Sequence, residues 1–180
     1  MKKLNIITSN EGKYKEYKVK LGNFFDVEML DIDYPEIQAD FLEDVVEYAL
    51  EELEPHSPLI IDDSGLFIEE LKDFPGVYSS YVMRTLGCDG ILSLMQNIER
   101  RKARFECVIG FVGEDIELFK GISRGYITKK KKGDKGFGYD PIFRPESRDQ
   151  TFAQMKTREK NEISHRGRAV ARLMKYMEEE

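Results

Sequence analysis

The sequence is poor in the residues that build disulfide frameworks and zinc sites. It contains two cysteines and two histidines among 180 residues. Cys88 and Cys107 form no CxxC motif and have no histidine near them in the sequence, so neither a zinc site nor a disulfide framework is predicted. With 41% apolar side chains, a chain of this length can bury a core without such supports. We predict a single domain over residues 1–180 in a reducing, cytoplasmic environment.

Long apolar runs are also absent. No segment approaches the roughly 18 apolar residues that a membrane-spanning helix requires. Residues Met1–Ile7 lack the long apolar stretch of a secretion signal. The sequence therefore predicts a protein without a membrane partner.

A surplus of positive charge is missing as well. The formal net charge is −6, which argues against non-specific binding to a nucleic-acid backbone, because such binding needs a basic face. The run Lys129–Lys132 could form a nucleic-acid patch, but charge runs are more typical of solvated loops. A few lysines that converge on one cleft could still bind a small anion.

The first third of the chain has the pattern of alternating strands and helices. Short apolar runs predict strands, and apolar residues at helical spacing predict helices that Pro55 and Pro58 would end. The predicted elements are a strand at Leu4–Thr8, a helix at Lys13–Leu21, a strand at Val27–Leu30, a helix at Leu42–Leu53 and a strand at Leu59–Ile61.

The rest of the chain adds antiparallel strands. The segment from Ala103 to Ser123 predicts a hairpin, with alternating apolar residues at Phe105–Phe111, a turn at Gly113–Asp115 and a return at Ile116–Phe119. The remaining predicted elements are an extended piece at Leu66–Leu71, a glycine-containing loop at Gly133–Asp140 and a closing helix at Ser164–Met177. We predict an α/β fold with a mixed sheet.

Two polar segments follow predicted strands. Thr8–Lys13 lies between a strand and a helix, where free N–H groups, hydroxyls and a lysine suit a polyphosphate. Taken alone, the segment favours an ordinary N-capped helix. Asp62–Gly65 follows an apolar run, so its carboxylates are expected at a strand end, where one of them could bind Mg²⁺. Adjacent strand residues point to opposite faces, so the other aspartate would orient a neighbour. A simple turn remains the alternative, and Glu36 is a candidate second ligand.

Two later segments carry rings and donors. Gly136–Pro141 contains Phe137 and Tyr139 between glycines, which could stack on a flat base or simply fill a core. Near the start of the closing helix, His165 and Arg166 offer donors for purine carbonyls or phosphates.

Taken in order, these segments closely resemble the inosine triphosphate pyrophosphatase family over nearly the whole chain. The matching motifs are Thr8–Lys13, Ile61–Leu66, Phe74–Ser79, Gly136–Phe143 and Ser164–Gly167. The resemblance implies an elongated mixed β-sheet flanked by helices, with two lobes, a central cleft and a homodimeric assembly.

The resemblance also implies a role for each matching residue. The triphosphate would be held by Thr8, Ser9, Asn10, Glu11, Gly12 and Lys13, and Mg²⁺ by Glu36 and Asp63. Ser64 would support the nucleotide, Phe137, Gly138, Tyr139 and Asp140 would form the base pocket, Lys160 would reach the substrate, and His165 with Arg166 would read the purine 6-oxo edge. The family often has a lysine where this chain has Tyr48, so one phosphate contact is expected to differ.

The implied reaction is magnesium-dependent cleavage of deaminated purine nucleoside triphosphates, namely ITP, dITP and XTP, into the monophosphate and pyrophosphate. Asp63 would orient or deprotonate the attacking water, and Lys13 would neutralise charge on the leaving group. Rejection of GTP requires a contact at the purine 2-position that no motif identifies. Three alternatives stay open: a pyrophosphatase for modified pyrimidines or methylated nucleotides, a non-catalytic nucleotide sensor, and a nucleic-acid binder that uses Lys129–Lys132.

Overall fold

The computed structural model describes residues 2–34, 37–53, 58–113 and 115–179. The helices are α1 (Glu11–Leu21), α2 (Leu42–Glu52), α3 (Ser79–Thr85), α4 (Gly87–Leu94), α5 (Thr157–Ile163) and α6 (His165–Glu179). The strands are β1 (Lys2–Ile7), β2 (Phe25–Leu30), β3 (Leu59–Ile68), β4 (Pro75–Gly76), β5 (Lys102–Val112), β6 (Ile116–Ile127) and β7 (Phe143–Pro145). Four residues that enter the predictions above lie outside the described residues: Met1, Glu36, Pro55 and Glu114.

The strands form one seven-stranded mixed sheet in the order β2-β1-β3-β5-β6-β7, with β4 paired to β3. The strands β2, β1 and β3 are parallel, because helices α1 and α2 connect them in turn. All pairings from β3 onward are antiparallel. The predicted α/β class with a mixed sheet is confirmed.

One edge of β3 has a gap in its pairing. β1 pairs with β3 only as far as Ile61, whereas β4 pairs with it from Leu66. The opposite edge is paired with β5 along the whole length from Leu59 to Ile68. Residues Asp62–Gly65 therefore present an open strand edge between two closed ends, and this gap positions the site described below.

Helices cover both faces of the sheet. On one face, α1 and α6 pack over the apolar sheet residues Leu4, Ile6, Ile60 and Ile109, and α6 contributes Leu173 to the same cluster. On the other face, α2 packs over Ile7, Ile61 and Val108. A third cluster, built around Leu66, Phe105, Phe143 and Phe152, joins the far end of the sheet to α3 and α4. Each fully buried aliphatic side chain contributes roughly 1.5–3 kcal/mol.

Contact between α6 and the sheet depends on a glycine. A Cβ atom at Gly121 of β6 would overlap the backbone oxygen of His165 and the backbone nitrogen of Ala169. Only a residue without a side chain allows the first turn of α6 to approach β6 this closely. This approach fixes the position of His165 relative to the sheet.

The predicted end of a strand before Asp62 is wrong. β3 continues without interruption through Asp62, Asp63 and Ser64 to Ile68, so only Leu66–Ile68 of the second predicted piece is extended, and Glu69–Leu71 forms a 3₁₀ turn. The strand continues because β5 hydrogen-bonds to it throughout, and this non-local pairing outweighs the turn preference of the polar residues.

Other boundaries differ by smaller amounts. The helix α1 begins at Glu11 rather than Lys13, because Asn10 caps it, and α6 begins at His165 rather than Ser164. The hairpin runs from Lys102 to Ile127 rather than from Ala103 to Ser123, so it differs mainly at the end of β6, and Lys129–Lys132 form an exposed loop as expected. Helices in the described part of the chain all fall short of the length and apolar character that crossing a membrane requires. Cys88 and Cys107 are buried free thiols.

Candidate active site

A cavity of about 500 Å³ opens at the gap in the edge of β3. Most of the residues selected from the sequence line it: Thr8, Ser9, Asn10, Lys13, Asp63, Ser64, Phe137, Gly138, Tyr139, Asp140, Lys160 and His165. Glu11, Gly12 and Arg166 are outside the lining, as is the half-buried Tyr48. Five elements of the fold thus bring distant motifs to one place, and the volume suits a nucleotide-sized ligand.

The segment between β1 and α1 is an N-cap as well as a cavity wall. The Oδ1 atom of Asn10 accepts hydrogen bonds from the backbone N–H groups of Gly12 (2.9 Å) and Lys13 (3.0 Å). The Oγ1 atom of Thr8 accepts one from the N–H of Asn10 at 3.1 Å. Because the cap already engages two N–H groups, an anion here would depend on side chains and on the helix dipole.

Lys13 reaches from α1 to the open edge of β3. Its Nζ atom donates to the main-chain oxygen of Asp62 at 3.0 Å and lies 3.4 Å from Oδ1 of the same residue. The lysine side chain is 16% exposed, so it combines a fixed position with access to the cavity.

The two adjacent aspartates of β3 have different surroundings. Asp62 is buried against α6, whereas Asp63 points to the other face and lines the cavity, where its Oδ1 accepts from the N–H of Ser64 at 2.7 Å. Burial raises the pKa of Asp62, but the positive charges of Lys13 and Arg166 lower it by more. The pKa is therefore below its ordinary value. Asp62 is therefore an ionised anchor, and Asp63 faces any ligand.

Arg166 lies behind the cavity and is 1% exposed. It donates to Oδ2 of Asp62 at 3.0 and 3.1 Å, to Oε2 of Glu16 at 2.6 Å and to Oγ of Ser64 at 2.9 Å. These contacts hold β3, α1 and α6 together. Because Ser64 accepts the arginine hydrogen bond, its own hydroxyl hydrogen is directed elsewhere and can be donated to a ligand.

Lys160 of α5 extends this arrangement. Its Nζ atom contacts Oε1 of Glu16 at 2.6 Å and Oδ2 of Asp140 at 2.5 Å, and all three side chains are buried. Burial raises the pKa of Glu16, but Lys160 and then Arg166 more than offset this, so the pKa is lowered. The result is a chain of alternating charges, which we call the buried ion chain: Asp140, Lys160, Glu16, Arg166, Asp62 and Lys13.

The loop Gly133–Asp140, called the glycine loop below, forms an aromatic wall of the cavity. Its carboxylate Asp140 accepts from the N–H of Phe137 at 2.9 Å, which closes the loop, and Gly138 has a positive φ of 58°. A Cβ atom at Gly12 would overlap the Phe137 ring, so this ring packs directly on α1. Tyr139 is buried and donates its hydroxyl to the backbone oxygen of Ser79 at 2.9 Å. The loop therefore joins the two sides of the cavity.

His165 opens α6 at the cavity. Its ring stacks on Phe105 with centroids 4.6 Å apart and planes at 13°. Burial, assisted by the positive charges of Arg166, Lys160 and Lys13, holds the pKa of His165 well below its ordinary value, so the ring is neutral at neutral pH. Its Nδ1 atom is buried and has no hydrogen-bond partner among the residues that the structure describes. A neutral imidazole offers one donor and one acceptor to a ligand.

A family model described as the Ham1 family matches residues 4–176 of this sequence. The chain belongs to the Ham1 family.

Curated relatives and solved structures agree with this membership. A dITP/XTP pyrophosphatase of Pyrococcus horikoshii is 49% identical over 179 residues, 97% of this chain and 96% of the relative. One of Thermococcus kodakarensis is 48% identical over 182 residues, 98% of both chains. The structure of the Staphylococcus aureus Ham1 protein has a TM-score of 0.82 and 31% sequence identity over 98% of both chains. That of a Coxiella burnetii HAM1 protein has a TM-score of 0.83 and 28% sequence identity over 100% of both chains. The family predicted from the motifs is confirmed.

Sequence reasoning missed several residues of this Ham1 chain that line the cavity or support it from behind. Glu16 could have been found, because it lies three residues after Lys13 and so shares a helix face with it. The cavity face of α3, which includes Met83 and Arg84, gave no signal in the sequence. Asp31 and Asp33, which follow β2, also line the cavity.

The carboxylates suit a magnesium ion that shares its ligands with phosphates. Asp31, Asp33 and Asp63 line the cavity, but within the described ranges no group of three or more His, Cys, Asp or Glu side chains could hold a metal alone. Mg²⁺ commonly takes one or two carboxylates and completes its shell with substrate oxygens and water. The donors present therefore fit this mode of binding.

Proposed function

We propose that this Ham1 chain hydrolyses ITP, dITP and XTP to the nucleoside monophosphate and pyrophosphate, and that the reaction depends on Mg²⁺. The observation that carries the proposal is that Asp63, Lys13 and the aromatic residue Phe137 of the glycine loop line the same cavity. The names of the relatives, dITP/XTP pyrophosphatases at 48–49% identity, support the same substrates.

The polyphosphate would lie along the start of α1. The hydroxyls of Thr8 and Ser9 and the ammonium of Lys13 are the donors on this side of the cavity. The positive end of the α1 dipole adds to their attraction for an anion. Since Asn10 Oδ1 serves the helix cap, Asn10 would contact phosphate only through its amide nitrogen.

The reaction transfers the α-phosphoryl group to water. A water oxygen forms a bond to the α-phosphorus, the bond from that phosphorus to the bridging oxygen breaks, and pyrophosphate leaves with the electron pair. Asp63 orients the water and accepts its proton, a role for which a carboxylate at the cavity surface is suited. Lys13, fixed by Asp62, stabilises the negative charge that develops on the departing oxygen.

Magnesium, when bound, would screen the phosphate charges and polarise the reacting phosphorus. Asp63 would hold it, assisted by Asp31 or Asp33 from the loop after β2. Glu36, expected as a ligand from the resemblance, lies three positions after Asp33 in the sequence and remains part of the proposal.

Base selection would follow from hydrogen-bond direction. An N–H of His165 donates to the 6-oxo group of a deaminated purine, whereas the 6-amino group of adenine would leave that donor unpaired. The Phe137 ring supplies a stacking surface, worth roughly 1–3 kcal/mol for a base. We revise the role of Arg166: its bonds to Asp62, Glu16 and Ser64 make it a positioning residue for Ser64 rather than a reader of the base.

The catalytic part of the proposal is tested with Asp63→Asn and a matched control, Asp26→Asn, at an exposed position of β2. Loss of the general base should lower pyrophosphate release from ITP by roughly 10²–10⁴-fold, with unchanged circular dichroism and an unaffected control. Near-normal turnover by Asp63→Asn would contradict the mechanism.

The substrate part is tested by a panel of ITP, dITP, XTP, GTP, ATP and dUTP, with and without Mg²⁺. Preference for dUTP would favour the pyrimidine alternative, and binding of ITP without pyrophosphate release would favour a sensor. A cytoplasmic homodimer completes the proposal, and sedimentation at micromolar concentration tests the dimer.

A further inference from the structure

Helix α3 presents one face to the cavity. Ser79, Ser80, Met83 and Arg84 line it, and their spacing places them on one side of a helix. Val82, by contrast, is buried in the core. Of these four residues only Arg84 is charged, and it is exposed at the cavity rim.

Arg84 differs from the other cations of the cavity. Lys13 is paired with Asp62, and Lys160 is paired with both Glu16 and Asp140. For Arg84, no acidic partner exists in the part of the chain that the structure describes. Its guanidinium lies 5.8 Å from the ring centroid of Tyr81, its neighbour on the helix. Its donors are therefore available to a ligand.

The helix that carries Arg84 is attached to the glycine loop. Ser79, the first residue of α3, accepts the Tyr139 hydroxyl through its backbone oxygen at 2.9 Å. On the following helix, α4, the Cys88 thiol donates to the backbone oxygen of Gly138 at 3.4 Å. Arg84 lies between these two anchors in the sequence, and both anchors connect its part of the chain to the loop that carries Phe137, whereas Lys13 projects from α1.

We propose that Arg84 is a specificity-determining residue that reads the 2-position of the purine. This inference rests on the proposed function and supplies the contact that rejection of GTP requires. Its guanidinium donates to the 2-oxo group of xanthine, makes no bond to the 2-hydrogen of hypoxanthine, and meets a second donor in the 2-amino group of guanine.

The physical reason is that a guanidinium carries five N–H donors and no acceptor. Xanthine offers an acceptor in its plane, whereas guanine displaces water from the arginine without replacing the lost hydrogen bonds. A charged hydrogen bond at this partly solvated position is expected to change relative rates by roughly tenfold. Arg84 thus adds to His165, which acts at the 6-position.

The experiment measures kcat/KM for XTP, dITP and GTP in the parent protein and in two variants. Arg84→Met removes the donors, and the XTP to dITP ratio should fall by about tenfold. Arg84→Gln introduces an amide oxygen that can accept from a 2-amino group, so the GTP to dITP ratio should rise. The control is Arg124→Met, an exposed arginine of β6 outside the cavity lining, which should leave all ratios unchanged.

Unchanged kcat/KM ratios among XTP, dITP and GTP in both Arg84 variants would overturn the inference. An equal loss of rate for all three nucleotides would also overturn it, because that pattern indicates a phosphate contact. Failure of the proposed function looks different. In that case the parent protein releases no pyrophosphate from XTP or dITP.

Discussion

Replacement of Arg166 by methionine tests the energetic role of the buried ion chain. The side chain is 1% exposed and is bonded to Asp62, Glu16 and Ser64. Methionine fills a similar volume but leaves both carboxylates short of positive charge. Removal of one partner from a buried ion pair costs about 3–5 kcal/mol, and Arg166→Met should lower the free energy of unfolding by this amount.

A second substitution separates the charge from the packing. Glu16→Gln alone leaves Lys160 and Arg166 with less negative charge beside them. The double variant Glu16→Gln with Arg166→Met restores equal numbers of positive and negative charges in the buried ion chain. The double variant should therefore be more stable than the sum of the two single effects predicts. Coupling energies between residues in such contact are about 0.5–3 kcal/mol.

The assay is urea unfolding followed by circular dichroism at pH 7.5, with Arg124→Met as the control for loss of an exposed arginine. A loss of 3–5 kcal/mol corresponds to a fall in Tm of roughly 6–20 °C for a chain of this size. A single-variant effect below about 1 kcal/mol, the value typical of exposed pairs, would refute the reasoning. Strict additivity in the double variant would refute the coupling.

Two further predictions concern the docking of α6. Gly121→Ala should lower the unfolding free energy by about 1–3 kcal/mol and reduce ITP turnover, because the new methyl group meets the backbone of His165 and Ala169. Urea unfolding measures the first effect and pyrophosphate release the second. Values like those of the parent protein would show that α6 can shift to accommodate the methyl group. The pH prediction follows from the pKa of His165, which is held well below its ordinary value of 6.5. The unfolded chain binds a proton near pH 6.5 and the folded chain does not, so stability is lost as the pH falls. From pH 7.5 to 5.5 this one group can contribute a loss of at most about 1.4 kcal/mol, and His165→Gln should lack this component. An identical loss in the variant would assign the pH dependence to other groups.

Local patterns in the sequence predicted the parallel half of the sheet well. The strand, cap and helix around Thr8–Lys13 depend on nearby residues, so their signals were present in a short window. The course of β3 through Asp62–Gly65 depends on its register with β5, which is distant in the sequence. The polar residues therefore suggested a turn where the structure has a continuous strand.

The same distinction applies to the site. The motifs identified Asp63, Lys13 and His165 as cavity residues because their types and order carry the resemblance, and the structure brings them together. The environment of Arg166 could not be predicted from its neighbours, because its partners are Glu16, 150 residues away, and Asp62, 104 residues away. Arg84 belongs to a helix that becomes a cavity wall only when α3 docks on the glycine loop.

The open edge at Asp62–Gly65 has a consequence for how the protein avoids aggregation through strand edges. Unpaired strand edges ordinarily recruit strands from other chains and lead to aggregation. Here β1 and β4 close both ends of the opening, and Lys13 already occupies the main-chain oxygen of Asp62. The unpaired stretch is therefore too short to serve as a template for an added strand, so the edge is exposed without the long run of unpaired groups that promotes aggregation.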